Sequence, residues 1–231
     1  MGIPMYLAMT AAEVSACKKL PEYFAYMACH FSSYGSGLSN LPAQLPPGSL
    51  IMVNDRIPFH HHDTNKIQQQ LLELAFRLQP AGIVLDFQRD EPALLPLADS
   101  IISALPCPVA ISDRYAKDLH CPIFLQPVPP HLSLSEHIHQ WHDREIWLDL
   151  APVSCQFTIS ETNSICTPLL DIPPDLPFYD TERFVHYSIT ENQDTLVFSL
   201  VRTKEQAYQM LLNAPTSVRF AIGLNQQLHE V

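Results

Sequence analysis

Asp55, Asp86 and Asp113 stand at the ends of three consecutive apolar runs, 49–53, 83–87 and 109–111. Neighbouring parallel strands lie roughly 5 Å apart, so carboxylates at their ends can converge on one ligand at the separation an acid–base pair needs. Such a trio suits hydrolysis of a glycosidic bond, or capture of a divalent metal. Taken singly, each has a competing reading as a cap of the following helix, a common place for an acidic residue. Polar and aromatic neighbours at the same strand ends supply candidate substrate contacts: His30, Tyr34, Gln88, Gln126 and Trp147. Tyr34 and Trp147 offer ring faces for stacking on a sugar, and Asn54, Glu13, Asp149 and His186 complete the polar set past the apolar runs. Arg56 and Arg89, with Arg114 near them, carry planar guanidinium forks that match a carboxylate or phosphate, which makes a small anion the competing ligand.

Other chemistries find less support. The run His60-His61-His62-Asp63 has metal-ligand residue types, but three consecutive side chains cannot all face one centre, and a polar loop ahead of a helix cap accounts for them. The six cysteines form no CxxC pair and read as buried or reduced thiols, so no metal site is expected. With six glycines, neither GxGxxG nor GxxxxGK[ST] can be drawn, and GxSxG is missing, so no cofactor and no nucleophilic serine are expected.

The elements that must position these residues alternate in type. Apolar runs at 4–9, 24–31, 49–53, 83–87, 109–111, 122–125, 145–150 and 218–223 read as strands. Between them, Ile67, Leu71, Leu74, Ala75 and Leu78 repeat on one helical face behind an Asp63 or Thr64 cap, and Pro92 opens a second helix through Leu94, Leu97, Ala98, Ile101 and Ile102. Thr10 with Glu13, Ser133 with Glu136, and Thr203 with Gln206 have capping-box spacing. Segment 151–201 changes character to short β segments, 155–159, 184–189 and 195–201, with a hairpin turn at 191–194. The pattern predicts an α/β fold, a TIM-barrel-like (β/α) barrel of irregular form with an antiparallel β insertion near 151–201. An open doubly wound sheet is the rival; the count of strands near eight and the missing glycine-rich first turn favour the barrel. No linker divides the chain, so residues 1–231 are expected to form one barrel-like domain.

Residues 81–88, Ala-Gly-Ile-Val-Leu-Asp-Phe-Gln, weakly resemble the fourth-strand signature of family 18 glycoside hydrolases, the chitinases and their relatives, which reads Asp-Gly-x-Asp-x-Asp-x-Glu. Gly82 and Asp86 match, and the strand is the fourth in order. The family's first two aspartates fall at Ala81 and Val84, and its catalytic glutamate, the general acid, falls at Gln88. An amide cannot donate that proton. The resemblance therefore implies either a barrel that binds a sugar without cleaving it, or one whose acid is another carboxylate such as Asp86 with Asp113 or Asp55.

Composition narrows the partners. Acidic residues outnumber basic ones 24 to 13, for a net charge of −11, and such a field repels phosphate backbones, so no nucleic-acid partner is expected. Hydrophobic residues make up 47% and charged residues 16%, the balance of a folded, core-rich protein. No apolar run reaches the 18 or so residues of a membrane span and the first 13 residues lack a basic leader, so the expectation is a cytoplasmic protein with no membrane partner. Two functions stand open: a glycoside-hydrolase-like barrel acting on an oligosaccharide, and a non-catalytic binding or scaffolding barrel that presents the insertion to a partner.

Overall fold

The computed structural model describes residues 2–59, 62–169, 171–192 and 195–228. Its strands and helices follow in the order β1 (Met5–Met9), α1 (Ala11–Ala16), β2 (Phe24–Phe31), β3 (Leu38–Ser39), β4 (Leu50–Asn54), α2 (Thr64–Leu78), β5 (Gly82–Asp86), α3 (Leu94–Ala104), β6 (Val109–Ser112), α4 (Asp113–Ala116), β7 (Ile123–Leu125), α5 (Leu134–Ile138) and β8 (Ile146–Asp149). Five strands then come without a helix: β9 (Val153–Ser160), β10 (Ser164–Pro168), β11 (Phe178–Asp180), β12 (Val185–Asn192) and β13 (Thr195–Arg202). The described residues finish with α6 (Lys204–Leu212), β14 (Val218–Leu224) and α7 (Asn225–Leu228).

Strands β1, β2, β4, β5, β6, β7, β8 and β14 pair in parallel, and β1 bonds to both β2 and β14, so the sheet closes into a ring. This is the TIM-barrel-like fold that the strand count predicts, and the open sheet is excluded. The barrel is irregular in its outer layer. A loop carrying the two-residue β3 replaces the helix between β2 and β4, and α4 is a single turn. The insertion is a separate antiparallel sheet in the order β10-β9-β13-β12-β11. Residues 193 and 194 of the expected hairpin turn lie outside the described residues. Among the described residues, no helix is long and apolar enough to cross a membrane.

Alternation along each strand decides what fills the barrel. Tyr6, Ala8, Ala25, Leu50, Met52, Val84, Ala110, Phe124, Trp147 and Ile222 pack together inside. Their odd-numbered or even-numbered neighbours, such as Ile51, Val53, Ile83, Leu85, Ile146 and Leu148, face outward to Ile67, Leu71, Leu74, Leu97 and Ile101 of α2 and α3. Trp147 is fully buried at the closed end, where its Nε1 donates to Glu145 Oε1 at 2.8 Å. Gly82 makes room for its ring: a Cβ there would run into the indole and stand 2.9 Å from the Pro108 carbonyl oxygen.

Helix starts follow the chemistry read from sequence. Asp63 caps α2 by accepting from the backbone N–H groups of Asn65 and Lys66, and Thr10–Glu13, Ser133–Glu136 and Thr203–Gln206 all form reciprocal capping boxes. Ser133→Ala removes one such cap at a buried position, so it is expected to cost about 1 kcal/mol and lower Tm by roughly 2–4 °C in a thermal melt.

Candidate functional site

The inward residue two places beyond each core-filling side chain reaches the C-terminal mouth of the barrel. By this rule Ala8 leads to Thr10, Met52 to Asn54, Val84 to Asp86, Trp147 to Asp149 and Ile222 to Leu224. All five line one cavity of about 790 Å³, floored by Met52, Phe124 and Ile222 and rimmed by Asp55, Arg56, Gln88 and Arg89. Strand alternation thus places two carboxylates inside a largely apolar cup.

Their electrostatics follow from that position. Burial raises the Asp149 carboxyl from the ordinary aspartate range to about 7, and the Asp86 charge adds to the rise. Asp86 is also raised, first by burial; the hydrogen bond from Gln88 Nε2 to its Oδ1 at 2.5 Å opposes the shift and the Asp55 charge reinforces it. Two carboxylates that repel across a desolvated cup retain a proton near neutral pH, the arrangement by which one group can act as acid while the other stays charged.

Asp55 lies on the rim, 4% exposed, with Oδ2 accepting from the backbone N–H of Arg89 at 2.7 Å. The Arg89 guanidinium turns back to the carbonyl oxygens of Asp55 and Arg56 at 2.8 and 2.9 Å. Asp55 and Arg89 therefore brace the loop after β4 against the loop after β5. Arg56 is exposed on the same rim, and its backbone N–H donates to Asn54 Oδ1 at 3.3 Å.

Asp113 and Gln126 open instead into a neighbouring depression with Arg114, Lys117, Gln140 and Trp141. Gln88 lines both depressions and stands on the ridge between them. The expected convergence of three aspartates thus resolves into Asp55 and Asp86 at one cavity and Asp113 at the next.

The remaining sequence candidates lie elsewhere. His30 is buried, with Nδ1 2.7 Å from the Phe31 carbonyl oxygen and Nε2 3.1 Å from Asn40 Nδ2, so it ties β2 to β3. Tyr34 is fully exposed on the loop between β2 and β3, and Trp147 is sealed in the barrel core below the cup. Neither ring is among the residues that line the cup. His186 sits in the antiparallel sheet, packed on Tyr179 with ring centroids 4.9 Å apart. Of the histidine run, His60 and His61 lie outside the described residues; His62 stacks on Phe59 and places Nε2 2.9 Å from the Ser32 carbonyl oxygen.

Asp149 is the site residue that sequence reasoning placed among the strand ends without giving it a role. The signal was present in the run Ile-Trp-Leu-Asp, where an inward tryptophan forces the aspartate two places later to point inward as well.

No protein-family model matches the chain, and no curated protein matches it in sequence. Solved structures do. The spore cortex-lytic enzyme SleL of Bacillus megaterium QM B1551 aligns with 96% of this chain and 70% of its own at 8% identity and a TM-score of 0.47. The spore cortex-lytic enzyme SleL of Bacillus cereus aligns over the same shares, 96% and 70%, at 10% identity and a TM-score of 0.54, a likeness of fold that agrees with the closed barrel.

Proposed function

We propose that the barrel mouth binds a carbohydrate chain and that Asp86 and Asp149 are its acid–base pair. The observation that carries this reading is the facing of two desolvated carboxylates, both with raised pKa, in one open cup. A carboxyl protonated near neutral pH can protonate a glycosidic oxygen as the bond to it breaks, and a nearby carboxylate stabilises the positive charge that develops on the sugar ring. Asp149, the more strongly shifted of the two, is the donor in this scheme, and Asp86, held by Gln88, is the stabilising carboxylate. Asp149 thereby takes over the proton donation that the family 18 pattern gives to the residue at Gln88. Asp55 and Arg89 keep the rim in place, and Asp113 with Gln126 offers a second subsite across the Gln88 ridge. In the cup the small-anion alternative keeps Arg56 but loses Arg89, which is bound to backbone carbonyl oxygens, while Arg114 lies in the adjoining depression.

Chito- and gluco-oligosaccharides are the first substrates to try, together with spore-cortex material, since the fold neighbour from Bacillus cereus is a spore cortex-lytic enzyme. The wild-type chain is expected to cleave one of them, and Asp149→Asn and Asp86→Asn are each expected to slow cleavage roughly 100-fold or more. Cleavage that survives both substitutions overturns the assignment.

A second reading has its own observation. Across β12, β13 and β9 the register aligns Tyr187, Leu200 and Cys155, then Ile189, Phe198 and Phe157, then Leu196 and Ile159, on one face of the antiparallel sheet. Ile159, Ile189 and Leu196 are 38%, 45% and 41% exposed, an apolar stripe that suits display to a partner. That reading, a barrel that binds sugar and presents the insertion, predicts saturable oligosaccharide binding with no product.

A further inference from the structure

Away from the barrel mouth, His131, Cys155 and Cys166 bring one ligand atom each to within 4.8 Å of one another. The fold explains the meeting. In the β9–β10 pair, Cys155 lies opposite Pro168 and Cys166 opposite Phe157, so the two thiols are diagonal neighbours on one face of the sheet. His131, from the segment between β7 and α5, lies flat on Phe157 with ring centroids 4.9 Å apart and an interplanar angle of 4°.

One further feature points to a ligand. His131 Nδ1 is buried and has no hydrogen-bond partner among the described residues, so a nitrogen lone pair or N–H is left unused in a desolvated place.

We propose that His131, Cys155 and Cys166 form a site for a thiophilic divalent ion of the zinc class. Imidazole and two thiolates are donors that zinc favours, and tetrahedral closure at Zn–S distances of about 2.3 Å needs ligand atoms roughly 3.5–3.8 Å apart, at most about 1.3 Å closer than the present arrangement. The ion replaces one proton on each thiol, so binding releases two protons and leaves the ion with two thiolates and a neutral imidazole. Cys166 is exposed, so the fourth position faces solvent and takes water or an outside donor. The bound ion clamps β10, an exposed edge strand, to the segment that follows β7.

Titration of the reduced full chain with Co²⁺ as a zinc probe tests the proposal. The expected result is one ion per chain, a thiolate-to-cobalt charge-transfer band, displacement by Zn²⁺, and a loss of affinity of about 100-fold or more in Cys166→Ser and in His131→Ala. Cys166 is at the surface, so the fold of Cys166→Ser should be unchanged by circular dichroism. Failure of the reduced protein to take up cobalt, or uptake that both substitutions leave unchanged, overturns the site. A Cys155–Cys166 disulfide that resists reduction in the native protein overturns it equally.

Discussion

Asp149→Asn is expected to stabilise the protein at pH 8 by up to about 4 kcal/mol while slowing cleavage roughly 100-fold or more. Asp149 moves from the ordinary aspartate value of 3.8 to about 7, and each tenfold change in proton affinity is worth about 1.4 kcal/mol. The folded state holds the proton more tightly than the unfolded chain does, so folding stability contributed by this group is complete below about pH 4. It declines as pH rises through the interval from about 4 to about 7 and is gone above it. Asparagine has nearly the same shape and carries no charge to bury, so the variant should lose this decline. Thermal melts from pH 4 to pH 8 should show a flatter profile for the variant, with Tm at pH 8 raised by roughly 8–16 °C for a chain of this size. Asp86 is shifted in the same direction and adds to the wild-type slope. A stability gain coupled to loss of activity is what a charge buried for chemistry produces.

Trp147→Ala is expected to cost about 3–5 kcal/mol, because the indole is fully buried at the closed end of the barrel and its removal leaves a large void. Gly82→Ala should cost roughly 1–3 kcal/mol for the opposite reason, since the added methyl meets the indole and the Pro108 carbonyl oxygen. The two effects share one space. In the double variant the methyl occupies part of the void, so the combined loss should fall below the sum of the single losses by more than about 0.5 kcal/mol. Urea unfolding followed by circular dichroism measures all three. Strict additivity would show that Gly82 is small for a reason other than the tryptophan.

The barrel strands were legible because their local signals agree with their tertiary setting. Short continuous apolar runs such as 83–87 and 109–111 are what burial on both faces of a parallel sheet demands, and the capping boxes at Thr10, Ser133 and Thr203 form as spaced. β3, β10 and β11 were missed. Two are very short, and β10 is exposed along its whole length, so no apolar pattern marks it. At the site, Asp86 was legible as an inward strand-end residue, whereas Asp55 was read as a reactive group and is found accepting from the Arg89 backbone. That difference depends on how two loops meet, which spacing along the chain does not encode. The grouping of His131, Cys155 and Cys166 was hidden for the same reason: it depends on strand register and on a loop brought from the far side of β8.

Calorimetric titration of the chain with chito- and gluco-oligosaccharides, repeated on Asp86→Asn, tests most directly whether the acidic cup is a carbohydrate site. The account predicts saturable binding of at least one of them by the wild-type chain. It also predicts binding at least about tenfold weaker in the variant, the scale of one lost hydrogen bond to a charged group. No heat with any oligosaccharide, or an affinity unchanged by Asp86→Asn, would contradict it.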